Sequence, residues 1–422
     1  MNASHFARPL ASLTLLIVAA ALASGCGSRS RELQPGSYRA VLELPGGELP
    51  FGLDVGQEES GVVLYLVNGE ERVRVSEVEV ADGQLTAKMP GFENTLTARI
   101  RGRRLEGEVA LLRAGGERQV LPLTAELGPT WRFFETPLTD NADVGGRWAV
   151  TFTDDEGRTS EGVAEFVQSF ERVTGTILTP TGDHRFLAGE VHGDELFLSR
   201  FDGASAYLYR ARLADDGDLS GEHWSGGTWH QRFTATRDPD AELDSSAVET
   251  GLRDPGVKLE FSFPDLDGNP VSLADDRFRD KVVIVTLAGS WCPNCHDEAA
   301  FLAALHRERK SQGLEVVSLM FEHFGDFPQA AAATRRFREK FGIEYPTLIA
   351  GTSDKDDASR ALPQLTGVFA YPTTIWVDRS GTVRKIHAGF SGPATGRHHE
   401  ELTREFTEFT RELLAEAPGN GD

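Results

Sequence analysis

Residues 281–298 read KVVIVTLAGSWCPNCHDE, and the fold turns on this stretch. The run 281–287 is apolar and β-branched, too short for a helix and flanked by charge, so the pattern predicts a central strand buried on both faces. Residues 288–290 break the run. Pro293 then sets φ for the first turn of a helix, where its missing N–H leaves nothing unpaired. Cys292 and Cys295, three positions apart, share one face of that turn. Free N–H groups and the positive end of the helix dipole favour an anion there, so Cys292 is expected to attack as the thiolate. Cys295, one turn deeper, is placed to resolve a mixed disulfide by closing a small, readily reopened ring. Trp291 is expected to lean over the pair and limit access.

Other chemistries use the same letters. C-x-x-C followed by His296 also fits attachment of a c-type haem with His296 as axial ligand, but that reading predicts neither the buried strand before the motif nor Tyr371-Pro372 after it. A four-ligand zinc site needs two further ligands such as a second cysteine pair, and the chain has 3 cysteines in all. A structural disulfide at this spacing would staple almost no loop. Redox chemistry without a metal or cofactor is the reading that remains.

At this point the stretch resembles the thioredoxin superfamily, in particular the membrane-tethered thiol-disulfide oxidoreductases of the TlpA/ResA type. Residues 261–273, FSFPDLDGNPVSL, look like the amino-terminal hairpin of that family, and 314–320, LEVVSLM, like its second buried strand. Residues 371–378, YPTTIWVD, look like the segment carrying the superfamily's cis-proline, here Pro372. The resemblance spans residues 256–417. It implies reduction of cysteine-containing protein substrates, with electrons from a membrane thiol donor. It also implies that Glu322, at the carboxyl end of the second strand, approaches the cysteine pair and handles protons. Many thioredoxins carry a buried acid or amide six residues before the first cysteine. Here that position is Thr286, so the candidates for proton transfer are Glu322, His296 or water.

The chain has 422 residues and a formal net charge of -22, with acids spread along its length, which argues against nucleic-acid binding. Arg8, the apolar run 10–23 and the small residues that follow read as a signal peptide over 1–25. Its end looks like a bacterial lipobox with Cys26 as the acylated residue, starting a tether over 26–35. The expectation is an extracytoplasmic lipoprotein, on the periplasmic side in a Gram-negative cell. Cys292 and Cys295 are then the two remaining thiols.

Residues 36–238 change character. Alternating runs such as 38–44, YRAVLEL, and 62–67, VVLYLV, are punctuated every eight to twelve residues by glycine-containing turns, which predicts antiparallel hairpins. The pattern is duplicated. Residues 78–85, VEVADGQL, are echoed by 189–196, GEVHGDEL, and 96–107, LTARIRGRRLEG, by 209–221, YRARLADDGDLSG. The expected fold is two antiparallel β-barrel or sandwich repeats, over 36–135 and 145–238, then a linker over 239–255 and an α/β thioredoxin-like domain over 256–417. Trp131, Trp148, Trp224 and Trp229 could line a ligand cavity or fill a core, and His223, Trp224, Trp229 and His230 carry no specific metal spacing. Two further functions fit parts of the chain: a ligand- or partner-binding lipoprotein in which the repeats do the work, and a peroxidase acting at Cys292.

Overall fold

The computed structural model describes residues 31–416 apart from 245, 247 and 248, so the expected signal peptide (1–25) and the acylated Cys26 lie outside the described residues. Alternation builds the first half. Along Gly36–Leu44, Tyr38, Ala40, Leu42 and Leu44 fall on one side and enter a common core. Antiparallel strands from Gly36–Leu44 to Arg118–Leu127 follow one another as a meander, and the first also pairs with the last. The sheet's two edges, Glu71–Val75 and Glu77–Ala81, are consecutive in the chain, which leaves a nearly closed barrel.

The second sheet repeats the plan. Gly146–Asp154 pairs with the last strand, Trp229–Arg237, while Thr159–Ser169 pairs with Arg172–Thr179 and closes the ring. Stretches matched in sequence occupy matched places. Residues 78–85 and 189–196 each form part of a hairpin, as do 96–107 and 209–221. At the ends of the last two, a Cβ on Gly107 would lie 1.9 Å from the Thr97 carbonyl oxygen, and one on Gly221 would lie 2.1 Å from that of Arg210. Only glycine allows neighbouring strands to approach so closely.

The barrels share a core. Phe201, Ala206 and Leu208 of the second enter the apolar cluster of the first. Asn68 brackets Phe201, donating to its carbonyl at 2.9 Å and accepting from its N–H at 3.1 Å. The tryptophans are dispersed: Trp148 is fully buried in the second barrel, Trp131 lies under Arg39, Trp224 packs against Gly46, and Trp229 is half exposed. His223 stacks on Tyr209 in the core while His230 pairs with Asp155 and Glu222, so they do not converge. The connection to the third domain is docked at both ends. Ala241 and Leu243 cover Val163 and Leu178, and Arg253 donates to the carbonyls of Pro363 and Thr366.

The third domain is a five-stranded sheet in the order Thr347–Thr352, Leu314–Glu322, Val282–Ala288, Thr373–Val377, Val383–Ala388. The first three strands are parallel and the last two antiparallel to their neighbours. Every residue of the central strand Val282–Ala288 is buried, which explains its unalternating apolar run. Four helices complete the domain: α1 Pro293–Arg309, α2 Phe327–Phe341, α3 Lys355–Ala361 and α4 Arg397–Ala415. Helix α2 ends at Gly342, which takes the left-handed conformation that closes a helix and that glycine adopts without steric cost. Helix α3 starts at Lys355, where the Asp354 carboxylate caps the N–H groups of Asp356 and Asp357. Among the described residues no helix is long and apolar enough to cross a membrane.

Trp148 anchors the second barrel, its Nε1 donating to the Val144 carbonyl at 3.0 Å. Trp148→Ala is expected to destabilise that barrel by about 3–5 kcal/mol. Denaturant unfolding followed by circular dichroism measures it, and a loss under about 1 kcal/mol would remove Trp148 from this role.

Candidate active site

The start of α1 sets the dithiol. Cys292 is its N-cap: Sγ accepts the Cys295 N–H at 3.2 Å, and the thiol donates to the Tyr371 carbonyl at 3.5 Å. The Tyr371–Pro372 peptide bond is cis. Both cysteines are free, with 5% and 1% of their surface exposed. Burial pushes the Cys295 thiol well above its ordinary range, reinforced by its contact with Cys292 and by the Glu298 charge.

The turn before the helix is tied down residue by residue. Ser290 donates its N–H and hydroxyl to the two oxygens of Glu322, at 3.0 and 2.7 Å, and Thr334 donates to the same carboxylate at 3.1 Å. Glu322 therefore supports the loop that carries Cys292. Burial raises its pKa to about 7. Trp291 donates Nε1 to the Phe321 carbonyl at 2.8 Å, stacks on His323, and meets the Tyr371 ring edge to face at 5.7 Å. Pro293 occupies the first turn of α1.

His296 serves the same loop. Its Nε2–H donates to the Ser290 carbonyl at 2.7 Å, while Nδ1 accepts from Lys340 Nζ at 2.9 Å. With both nitrogens engaged and its pKa driven well down by burial, His296 stays neutral and holds the backbone. The first barrel reaches it: Phe92 stacks on the imidazole at 4.0 Å, and Glu93 pairs with Arg336 of α2.

Glu298 is the residue sequence reasoning passed over. It lies three positions beyond Cys295 on the same face of α1, 1% exposed. The hydroxyls of Thr286 and Thr374, opposite one another on adjacent strands, both donate to it, the first at 2.5 Å. Thr286 thus does not leave its place in the sheet without an acid; it holds one that arrives from the helix. Burial raises Glu298 to about 7. A charged residue within the buried stripe Cys295, Ala299, Leu302 was the available signal.

A dithiol capping the helix that follows a central strand, facing the carbonyl before a cis-proline, makes this domain a thiol-disulfide oxidoreductase on a thioredoxin-like fold. Residues 255–400 match the Redoxin family. The domain is TlpA/ResA-like within the thioredoxin superfamily. Thiol-disulfide oxidoreductase ResA of Halalkalibacterium halodurans is 26% identical over 153 residues, 36% of this chain and 74% of that protein. ResA of Geobacillus thermodenitrificans is 28% identical over 146 residues, 35% of this chain and 73% of that protein. Among solved structures, a thiol:disulfide interchange protein of the thioredoxin family from Chlorobium tepidum TLS overlaps 39% of this chain and 100% of its own, at 20% identity and a TM-score of 0.29. The Redoxin match begins after both barrels.

Glu298 titrates near 7 folded against 4.5 ordinarily, so the folded chain binds its proton more tightly. Its contribution to stability is fully present below about pH 4.5 and is lost as pH rises through about 7, by up to roughly 3 kcal/mol. Glu298→Gln, neutral throughout, is expected to flatten that part of the curve, leaving the slope that Glu322 contributes. Urea unfolding across a pH series measures this, and an unchanged slope would show that Glu298 does not titrate there.

Proposed function

We propose that this chain is a lipid-anchored, extracytoplasmic thiol-disulfide oxidoreductase that reduces disulfides in cysteine-containing proteins. The observation that carries the reading is the seat of Cys292, a free sulfur at a helix N-cap between the Cys295 N–H and the Tyr371 carbonyl. The Cys292 thiolate attacks one sulfur of a substrate disulfide; the S–S bond breaks, one substrate thiolate leaves, and a mixed disulfide forms. Cys295 then loses its proton and attacks Cys292 Sγ. The second substrate thiolate departs, the Cys292–Cys295 disulfide remains, and two electrons have passed to the substrate. A membrane thiol donor returns them.

Cys295 needs a base because burial keeps the proton on its sulfur. Glu298 is the group we assign to it, on the same helix face and poised near 7. Glu322 and Pro372 frame the turn, with Trp291, Pro293 and His296 in support. The apolar run 10–23 and Cys26 support the anchor, and the ResA relatives support the chemistry.

Thiol trapping with mass spectrometry across a dithiothreitol or glutathione series tests the cycle. A midpoint near about −270 mV fits a reductase, whereas one near about −120 mV would mean an oxidant that inserts disulfides. Cys295→Ser is expected to accumulate a reductant-sensitive mixed disulfide and Cys292→Ser to form none. A pair that never cycles would sink the reading.

A further inference from the structure

One guanidinium beside the dithiol gathers carboxylates from all three domains. Arg185 follows the two-residue strand Gly182–Asp183 of the second barrel, with a left-handed backbone (φ 55) that costs a non-glycine residue on the order of 1–2 kcal/mol. Its side chain is only 14% exposed. Nη1 donates to the Pro293 carbonyl at 3.3 Å and pairs with Asp297 of α1. Nη2 pairs with Glu71 of the first barrel at 3.2 Å, and Nε lies 3.4 Å from Asp202 of the second. Two residues earlier, Asp183 accepts from Asn294 Nδ2 at 3.3 Å and from the Gly392 N–H at 2.7 Å. Both residues between the cysteines, Pro293 and Asn294, are therefore held by one loop of the second barrel.

We propose that Arg185 is a positioning residue for the dithiol, through which the second barrel fixes the first turn of α1 and sets the charge felt by Cys292. The barrel is then part of the redox centre and does more than space it from a membrane. This inference rests on the thiol exchange proposed above. Its sign follows from Coulomb's law. A cation at the helix start supports the Cys292 thiolate and so the reduced pair; replacing it with an amide also leaves the Asp297 charge unpaired on the same helix. Removing the Asp297 charge acts in the opposite direction.

The test uses the full chain and two readouts: the rate at which iodoacetamide alkylates Cys292 at neutral pH, and the dithiol–disulfide equilibrium against dithiothreitol. Arg185→Gln is expected to slow alkylation about tenfold and to shift the equilibrium toward the disulfide by a similar factor, roughly 30 mV more negative. Asp297→Asn is expected to shift both the other way. Arg212→Gln, whose partners Asp194 and Glu195 are exposed, should change neither. Shifts of the same sign in Arg185→Gln and Asp297→Asn, or changes within about twofold of the parent, overturn the proposal. If Arg185→Gln does not fold, the sign of the Asp297→Asn shift decides alone. A parent pair that does not exchange with dithiothreitol removes the proposed function, while the alkylation rates still judge the role of Arg185.

Discussion

Five consecutive residues, Ser290 to Asn294, lead from the end of a fully buried strand into the first turn of a helix, and the rest of the structure is arranged to satisfy them. Ser290 and Cys292 are buried, and polar groups withdrawn from water must find protein partners. Each residue here finds a different one. Glu322 and His296 take Ser290, the Phe321 carbonyl takes Trp291, and the Tyr371 carbonyl takes Cys292. Asn294 donates to the Phe390 carbonyl at 3.0 Å and to Asp183 of the second barrel. The position of the reactive sulfur is thus a property of two neighbouring strands, two helices and a barrel loop together.

Two buried acids flank this turn in different settings. Glu298 is caged by threonine hydroxyls from the sheet, and Glu322 by the loop and α2. Neither has a cation among its hydrogen-bond partners, so burial dominates and both sit near 7. A carboxyl in that range can both accept and return a proton at neutral pH, which an exposed glutamate does poorly. The acids around Arg185 divide: burial still raises Glu71 and Asp297 in spite of the nearby cations, whereas Asp202 is held down at about 2 by Arg200 and Arg185 against the opposing effect of its burial.

Local pattern made several elements legible. An unalternating run of seven residues, too short for a helix, reads as a doubly covered strand, and the proline and apolar stripe that follow it read as the start of a helix, so the place of Cys292 and Cys295 was readable. Alternation and turn residues revealed the hairpins, and their recurrence revealed the duplication. The site was harder. Glu322 was found by its place at a strand end, but its contacts run to Ser290. Glu298 was missed because its meaning depends on Thr374, distant in sequence and brought opposite Thr286 only by strand pairing. His296 read as a proton carrier, yet Phe92 from the first barrel and Lys340 from α2 make it a neutral brace.

Periodicity and motif spacing act over a few residues, and at that range the sequence alone determined the strand, the capped helix, the dithiol and the repeated hairpins. Which acid lies under the dithiol, and which loop grips its turn, depended on pairings between residues far apart. Thr286 meets Thr374 only when the sheet of the third domain has formed, and Phe92 meets His296, and Arg185 meets Asp297, only when each barrel has packed against that domain. Burial then changes what each group can do, because the cost of a charge depends on its surroundings, and those surroundings exist only in the folded chain.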